Sequence, residues 1–253
     1  MGYPFMTTQA LPRAPTESRH SLPLLMAPRI RALQRLMRYE GSARLNLHAD
    51  IADEITEYAR TATCQPLAPG GQPFNYSQID AAGRLAGRPV GRATIAAPRG
   101  CERVRALLAD PVLLEFMHGQ VGRRPKFTVN LRWRLQPRET AAGPTAPEDD
   151  DDAYFRVDPE GLGCCDLYLC LTGLAQPGEG PQVVRRTHEE FSAIRLQTRP
   201  RIPVARIGNR FDEGLILGPA LAPGSGLVLR PTAYHAPGQA VSGDRLTLHI
   251  RAW

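Results

Sequence analysis

The sequence predicts a mainly β domain with flanking N-terminal helices, a β-sandwich or jelly roll with a helical preface. Three observations lead there. The 253 residues include 24 Pro and 23 Gly but only 6% aromatics, a composition that favours short elements and many turns. Two-residue alternation dominates the second half: Phe127, Val129, Leu131, Trp133 and Leu135 fall on one face, with Thr128, Asn130, Arg132 and Arg134 on the other. Helical spacing is confined to the first half.

Taken in order, Met1 to about Ser21 carries little apolar pattern and reads as a loose, flexible tail, leaving 22–253 as a single domain without internal repeat or linker. Ile30 to Arg38 has the spacing of a short amphipathic helix, with Leu33, Leu36 and Met37 set between arginines. Asp50 offers an N-cap, and Ile51, Ile55 and Tyr58 continue a helix to about Thr61. Cys64 to Pro98 is rich in Pro and Gly and reads as irregular. Glu102 to Ala109 predicts another helix, restarted by Pro111 as a first-turn residue and running towards His118. After the strand at Phe127 to Leu135, Glu139 to Asp152 is a loop ending in the acidic run Glu148 to Asp152, read as solvated, with a loose divalent-ion contact as the chemical alternative. Further strands are expected at Tyr154–Val157, Cys165–Leu174, Gln182–Val184, Gly226–Arg230 and Arg245–Arg251.

Several classes are excluded or disfavoured. No run of about 18 uncharged apolar residues exists, so no transmembrane helix is expected. The formal net charge is +6, but Lys126 is the one lysine and the arginines are scattered. A basic patch with interleaved aromatics is missing, which argues against nucleic acid as a partner. Five cysteines, Cys64, Cys101, Cys164, Cys165 and Cys170, form an odd set without a CxxC pair, unlike a disulfide framework or a zinc site. With no secretory signal in the N-terminal stretch, a cytoplasmic protein is expected.

Of the six histidines, His20, His48, His118 and His249 read as surface or satisfied core residues, and His188 as structural. His235 stands apart. It ends one predicted strand, and Arg245, ten residues later, opens the next. Upstream, Tyr154-Phe155-Arg156-Val157-Asp158 delivers a carboxylate where a strand gives way to a loop. Two short strands would thus present a carboxylate and an imidazole with a guanidinium nearby.

From about Glu40 to the C-terminus the chain resembles the phytanoyl-CoA dioxygenase-like branch of the iron(II)/2-oxoglutarate oxygenases. The stretches that carry the resemblance are Gly41-Ser-Ala-Arg-Leu, Leu107-Leu-Ala-Asp-Pro-Val-Leu-Leu-Glu, Leu169-Cys-Leu-Thr-Gly-Leu, Gly178-Glu-Gly-Pro-Gln-Val-Val and Arg186-Thr-His188, where the family often has Gly-Ser-His. The spacing of His235 to Arg245 is the most specific of them. The resemblance implies a double-stranded β-helix, a jelly-roll, cupin-like barrel. It also implies Fe(II) and 2-oxoglutarate as cofactors, and oxidation, such as hydroxylation, of a small organic molecule. By position, Asp158 and His235 would be iron ligands and Arg245 the anchor of the 2-oxoglutarate distal carboxylate.

The family pattern His-x-Asp reads Arg156-Val157-Asp158 here, so the first ligand is replaced. A guanidinium has no lone pair to give and stays protonated, so Arg156 does not substitute for an imidazole. The i, i+2 spacing predicts a pair with Asp158 on one face of the strand. Three readings follow. The chain is a dioxygenase whose metal site is completed by His188, an acidic residue or a partner chain. Alternatively it is a metal-free pseudoenzyme that binds an anionic ligand at Arg156 and Arg245, or a homologous catalytic subunit. The third is a basic nucleic-acid binder.

Overall fold

Strand alternation sets the architecture, because each long strand has one face that must be buried against helices and one that can carry polar groups. The computed structural model describes residues 25–26, 30–68, 70–80, 83–135, 154–173, 179–189, 201–218, 222–238 and 243–253. The N-terminal part contains β1 (Leu25–Met26), α1 (Ile30–Glu40), β2 (Ser42–Leu47), α2 (Ala49–Thr61), β3 (Thr63–Pro66) and β4 (Phe74–Asn75). There follow β5 (Arg84–Leu85), β6 (Arg88–Pro89), β7 (Arg92–Ile95), α3 (Glu102–Leu108) and α4 (Pro111–Val121). The remainder is strand-rich: β8 (Phe127–Arg134), β9 (Tyr154–Arg156), β10 (Cys165–Cys170), β11 (Gln182–Val184), β12 (Arg201–Pro203), β13 (Ile216–Leu217), β14 (Ser225–Leu229), β15 (His235–Ala236) and β16 (Arg245–Ala252).

The strands form two main antiparallel sheets. The larger runs β1-β2-β14-β10-β16-β8-β7-β3-β4, and the smaller runs β12-β9-β15-β11-β13. Val183 of the smaller sheet packs with Leu227 and Leu229 of the larger, so the two sheets face each other as a double-stranded β-helix. The outer face of the larger sheet supplies Leu131, Trp133, Leu167, Leu169, Leu246, Leu248 and Ile250 to the main core, where they meet Leu33 and Met37 of α1, Ile55 of α2, Leu107 of α3 and Phe116 of α4. A second apolar layer, with Phe155, Val184, Ile202 and Tyr234, covers the smaller sheet. Among the described residues, no helix is long and apolar enough to cross a membrane.

Local chemistry explains the helix ends. Pro111 opens α4, and the Asp110 carboxylate accepts from the backbone N–H groups of Val112 at 2.8 Å and Leu113 at 3.0 Å. The helix closes on Gly122 in the left-handed conformation, with φ of 71°. By contrast α2 starts one residue earlier than its expected cap: His48 holds the cap position without a side-chain bond, and Asp50 lies in the first turn. The Cys64 to Pro98 segment also departs from expectation. It holds five strands of two to four residues, too short to display a period, and three of them extend the larger sheet. The tail to Ser21 and the acidic run Glu148 to Asp152 lie outside the described residues.

Candidate functional site

The inner faces of the two sheets enclose a cavity of about 750 Å³. The polar sides of β8 and β16 point into it, since Thr128, Asn130, Arg132 and Arg134 line the cavity together with Arg245, Thr247, His249 and Arg251. Register orders these side chains in rows across the sheet. Arg92, Arg134 and Arg245 are direct partners across three adjacent strands. One row further, Thr94, Arg132, Thr247 and Cys170 are aligned, then Asn130, His249 and Tyr168, and last Thr128, Arg251 and Asp166. From the smaller sheet, Arg201, Arg156 and His235 form another row and line the same cavity. Among the described residues, seven arginines line it together with two carboxylates, Asp158 and Glu160.

Arg156, Asp158, His235 and Arg245, singled out from sequence, line this one cavity. His235 is buried, and its Nδ1 lies 2.9 Å from the carbonyl oxygen of Ala233. The carbonyl can only accept, so Nδ1 carries the proton and Nε2 keeps its lone pair. Burial lowers the His235 pKa below its ordinary value, despite the opposing bond to Ala233, and the ring is neutral near pH 7. Arg245 donates from Nη1 to the backbone oxygen of Glu179, and Arg134 donates from Nη1 to that of Gly238 at 3.2 Å. These bonds fix both guanidinium groups at one end of the cavity wall.

Asp158 is engaged from the other sheet. Arg251 Nη2 lies 2.7 Å from Asp158 Oδ2, and the backbone N–H of Glu160 donates to Asp158 Oδ1 at 3.0 Å. The same guanidinium forms a two-pronged pair with Asp166, at 2.7 Å through Nε and 2.7 Å through Nη2. The spacing on β9 predicts Arg156 as the partner of Asp158; the structure brings Arg251 of β16 onto that carboxylate. Asp166 is fully buried, which by itself would raise its pKa. The bonds from Arg251 and the contact with His249 outweigh that penalty and hold it at about 2. His249 Nε2 approaches Asp166 at 3.2 Å, and its ring stacks on Tyr168 with centroids 4.4 Å apart. His249 thus belongs to the cavity wall, unlike the surface or core position expected for it.

The remaining candidates lie elsewhere. His188 Nε2 bonds to the Arg38 carbonyl oxygen at 2.9 Å, and a Cβ placed at Gly41 would lie 2.4 Å from His188 Nδ1. The ring locks the turn after β11 against the end of α1 and does not line the cavity. Cys64 and Cys165 are buried in the apolar core, and Cys170 is buried on the inner face of β10, in the row of Arg132 and Thr247. Desolvation raises Cys64 to about 11 and Cys170 to about 12, so neither presents a thiolate.

A facial iron site needs two imidazoles and a carboxylate converging on one point. His235 has the right tautomer and a backbone-anchored ring. The other positions do not fit: Arg156 stands opposite His235 in the register, and Asp158 is held by Arg251. Among the described residues no group of three or more His, Cys, Asp or Glu side chains is arranged to hold a metal ion. The donor set among the described residues therefore does not match the metal that the resemblance implies.

The chain matches no protein-family model and no curated protein sequence. It is similar in fold to HygX from Streptomyces hygroscopicus, solved with nickel and 2-oxoglutarate bound, at 13% identity and a TM-score of 0.54, over 88% of this chain and 86% of that one. It is likewise similar to SnoN, a non-heme alpha ketoglutarate dependent epimerase from nogalamycin biosynthesis, at 16% identity and a TM-score of 0.51, over 88% and 82%. A second structure of SnoN, in complex with Fe3+, alpha ketoglutarate and nogalamycin RO, matches at 17% identity and a TM-score of 0.50, over 88% and 82%. The class is a double-stranded β-helix of the type found in 2-oxoglutarate-dependent enzymes. At these identities the likeness extends to the fold.

Proposed function

We propose that this chain uses an oxygenase-type barrel as a metal-independent receptor for a small anionic molecule. The observation that carries the reading is the chemistry of the cavity wall, where the described residues include seven arginines and two carboxylates, one of which is held by Arg251. Guanidinium forks suit carboxylate and phosphate groups, and enclosure by the sheets strengthens each contact relative to water. Arg245 would keep the anchoring role that the resemblance implies for it, while Asp158 and His235 would act as pocket residues instead of iron ligands. The competing reading is an iron(II)/2-oxoglutarate dioxygenase that oxidises a small organic molecule through Asp158 and His235.

Calorimetric titration of the full chain with 2-oxoglutarate, in buffer containing a strong chelator, separates the two. The receptor predicts saturable binding without metal, weakened by salt and by Arg245→Met. The dioxygenase predicts Fe(II)-dependent conversion of 2-oxoglutarate to succinate, abolished in His235→Ala. Such turnover, with no metal-free binding, would overturn the proposal.

A further inference from the structure

Helix α1 has an apolar stripe that packing against the core leaves uncovered. Leu33 and Met37 are buried in the main core, while Arg31, Ala32, Arg35, Leu36, Arg38 and Tyr39 are exposed. At about 3.6 residues per turn, Ala32, Leu36 and Tyr39 make one stripe, and Arg31, Arg35 and Arg38 make the stripe beside it. Among the described residues five large hydrophobic side chains are exposed, and two of them, Leu36 at 46% and Tyr39 at 64%, lie one turn apart on this helix. Its charge is equally one-sided. Glu40 is the one acidic residue of α1, and it is held by Arg186 at 2.9 Å with Arg185 at 3.6 Å. Among the described residues Arg31, Arg35 and Arg38 have no ion pair.

We propose that this face seats the protein on an anionic lipid surface, with Leu36 and Tyr39 entering the headgroup region and the three arginines meeting lipid phosphates and carboxylates. An aliphatic side chain and a tyrosine beside a row of cations match a bilayer boundary, which is apolar on one side and anionic on the other. Nucleic acid fits less well, because it binds through its phosphates and stacked bases and gives Ala32 and Leu36 nothing to pack on. An acidic protein would need about 800 Å² of this surface for a stable interface. A stripe of three side chains on one helix of 11 residues supplies far less. The helix would lie along the lipid surface, and the inference is independent of what fills the cavity.

The test is co-sedimentation of the full chain with vesicles of phosphatidylcholine alone or with about one-third phosphatidylserine. The inference expects pelleting with the anionic vesicles only, reversed when salt rises from about 0.1 M to 0.5 M. Arg31→Glu and Arg35→Glu should each lower the partition coefficient about fivefold or more. Leu36→Ser and Tyr39→Ser leave the charge unchanged and should each lower it about threefold or more. All four positions are exposed, so circular dichroism and thermal unfolding of the variants should match the unmodified chain. Equal pelleting with neutral vesicles, no pelleting with anionic ones, or pelleting that no variant reduces overturns the inference. Loss in the arginine variants alone would mean contact through charge without seating of Leu36 and Tyr39, and overturns it as well. A labelled single-stranded RNA bound through the same residues more tightly than the vesicles would assign the face to nucleic acid instead.

Discussion

Arg251 decides the metal question more than Arg156 does. Its guanidinium joins Asp158 and Asp166, so the carboxylate that would face a metal already has a cation on it. Placing an imidazole there with Arg156→His is therefore expected to leave Co(II) binding undetectable by visible absorption, whereas Arg156→His combined with Arg251→Met should yield a Co(II) spectrum. Removing Arg251 strands the buried Asp166 carboxylate, so the fair form of the test adds Asp166→Asn. A Co(II) spectrum in Arg156→His alone would show that Asp158 is free to ligate. Arg186 illustrates a different constraint. It has φ of +68°, where the family resemblance places Gly, and it pays for that conformation with an exposed pair to Glu40 at 2.9 Å. Both Arg186→Gly and Arg186→Ala lose the pair, but only Gly removes the left-handed strain. Chemical denaturation should find Arg186→Gly more stable than Arg186→Ala by about 1 kcal/mol.

At the scale of elements, β16 carries both the core and the site. Leu246, Leu248 and Ile250 are fully buried on its outer face, while Arg245, Thr247, His249 and Arg251 line the cavity on the other. Truncating Leu248 to Ala should cost about 2–5 kcal/mol in denaturant unfolding. The N-cap of α4 is separable from the barrel, and Asp110→Ala should cost about 1 kcal/mol through two orphaned N–H groups. These elements were legible because their signals are local: β8 and β16 alternate over eight residues, and Asp110-Pro111 opens a helix. Elements of two residues, such as β15, contain no more than one repeat of any pattern. Their existence depends on the partner strands that pair with them. By contrast β2, six residues with Ala43, Leu45 and Leu47 buried in alternation, carried a legible signal between two helices that was not read as a strand.

At the scale of the whole molecule, Arg251 ties β16 and β10 to Asp158, just beyond β9, and so links the two sheets through one charged centre. Asp166 titrates at about 2 in the fold against 3.8 for an ordinary aspartate. A carboxyl whose pKa is lower folded than unfolded contributes stability above its unfolded pKa and loses it as pH falls through the folded value. The contribution here is about 2 kcal/mol. Unfolding free energy measured between pH 5 and 2 should fall by that amount beyond what Asp166→Asn shows over the same range. A parallel pH dependence in both proteins would remove Asp166 as the origin.

Sequence by itself determined the fold class and the outward apolar stripes, because period and turn chemistry are properties of neighbours along the chain, while Arg156, Asp158, His235 and Arg245 were singled out with the help of a family resemblance. Tertiary structure decided which charges meet. Asp158 and Arg251 are 93 positions apart in the chain, and no local pattern pairs them. Nor does any local pattern place Arg92 beside Arg134 and Arg245, or turn His249 towards a buried carboxylate. Those contacts follow from strand register in a closed barrel, and register is settled only when the outer face of every strand finds its place in the shared core.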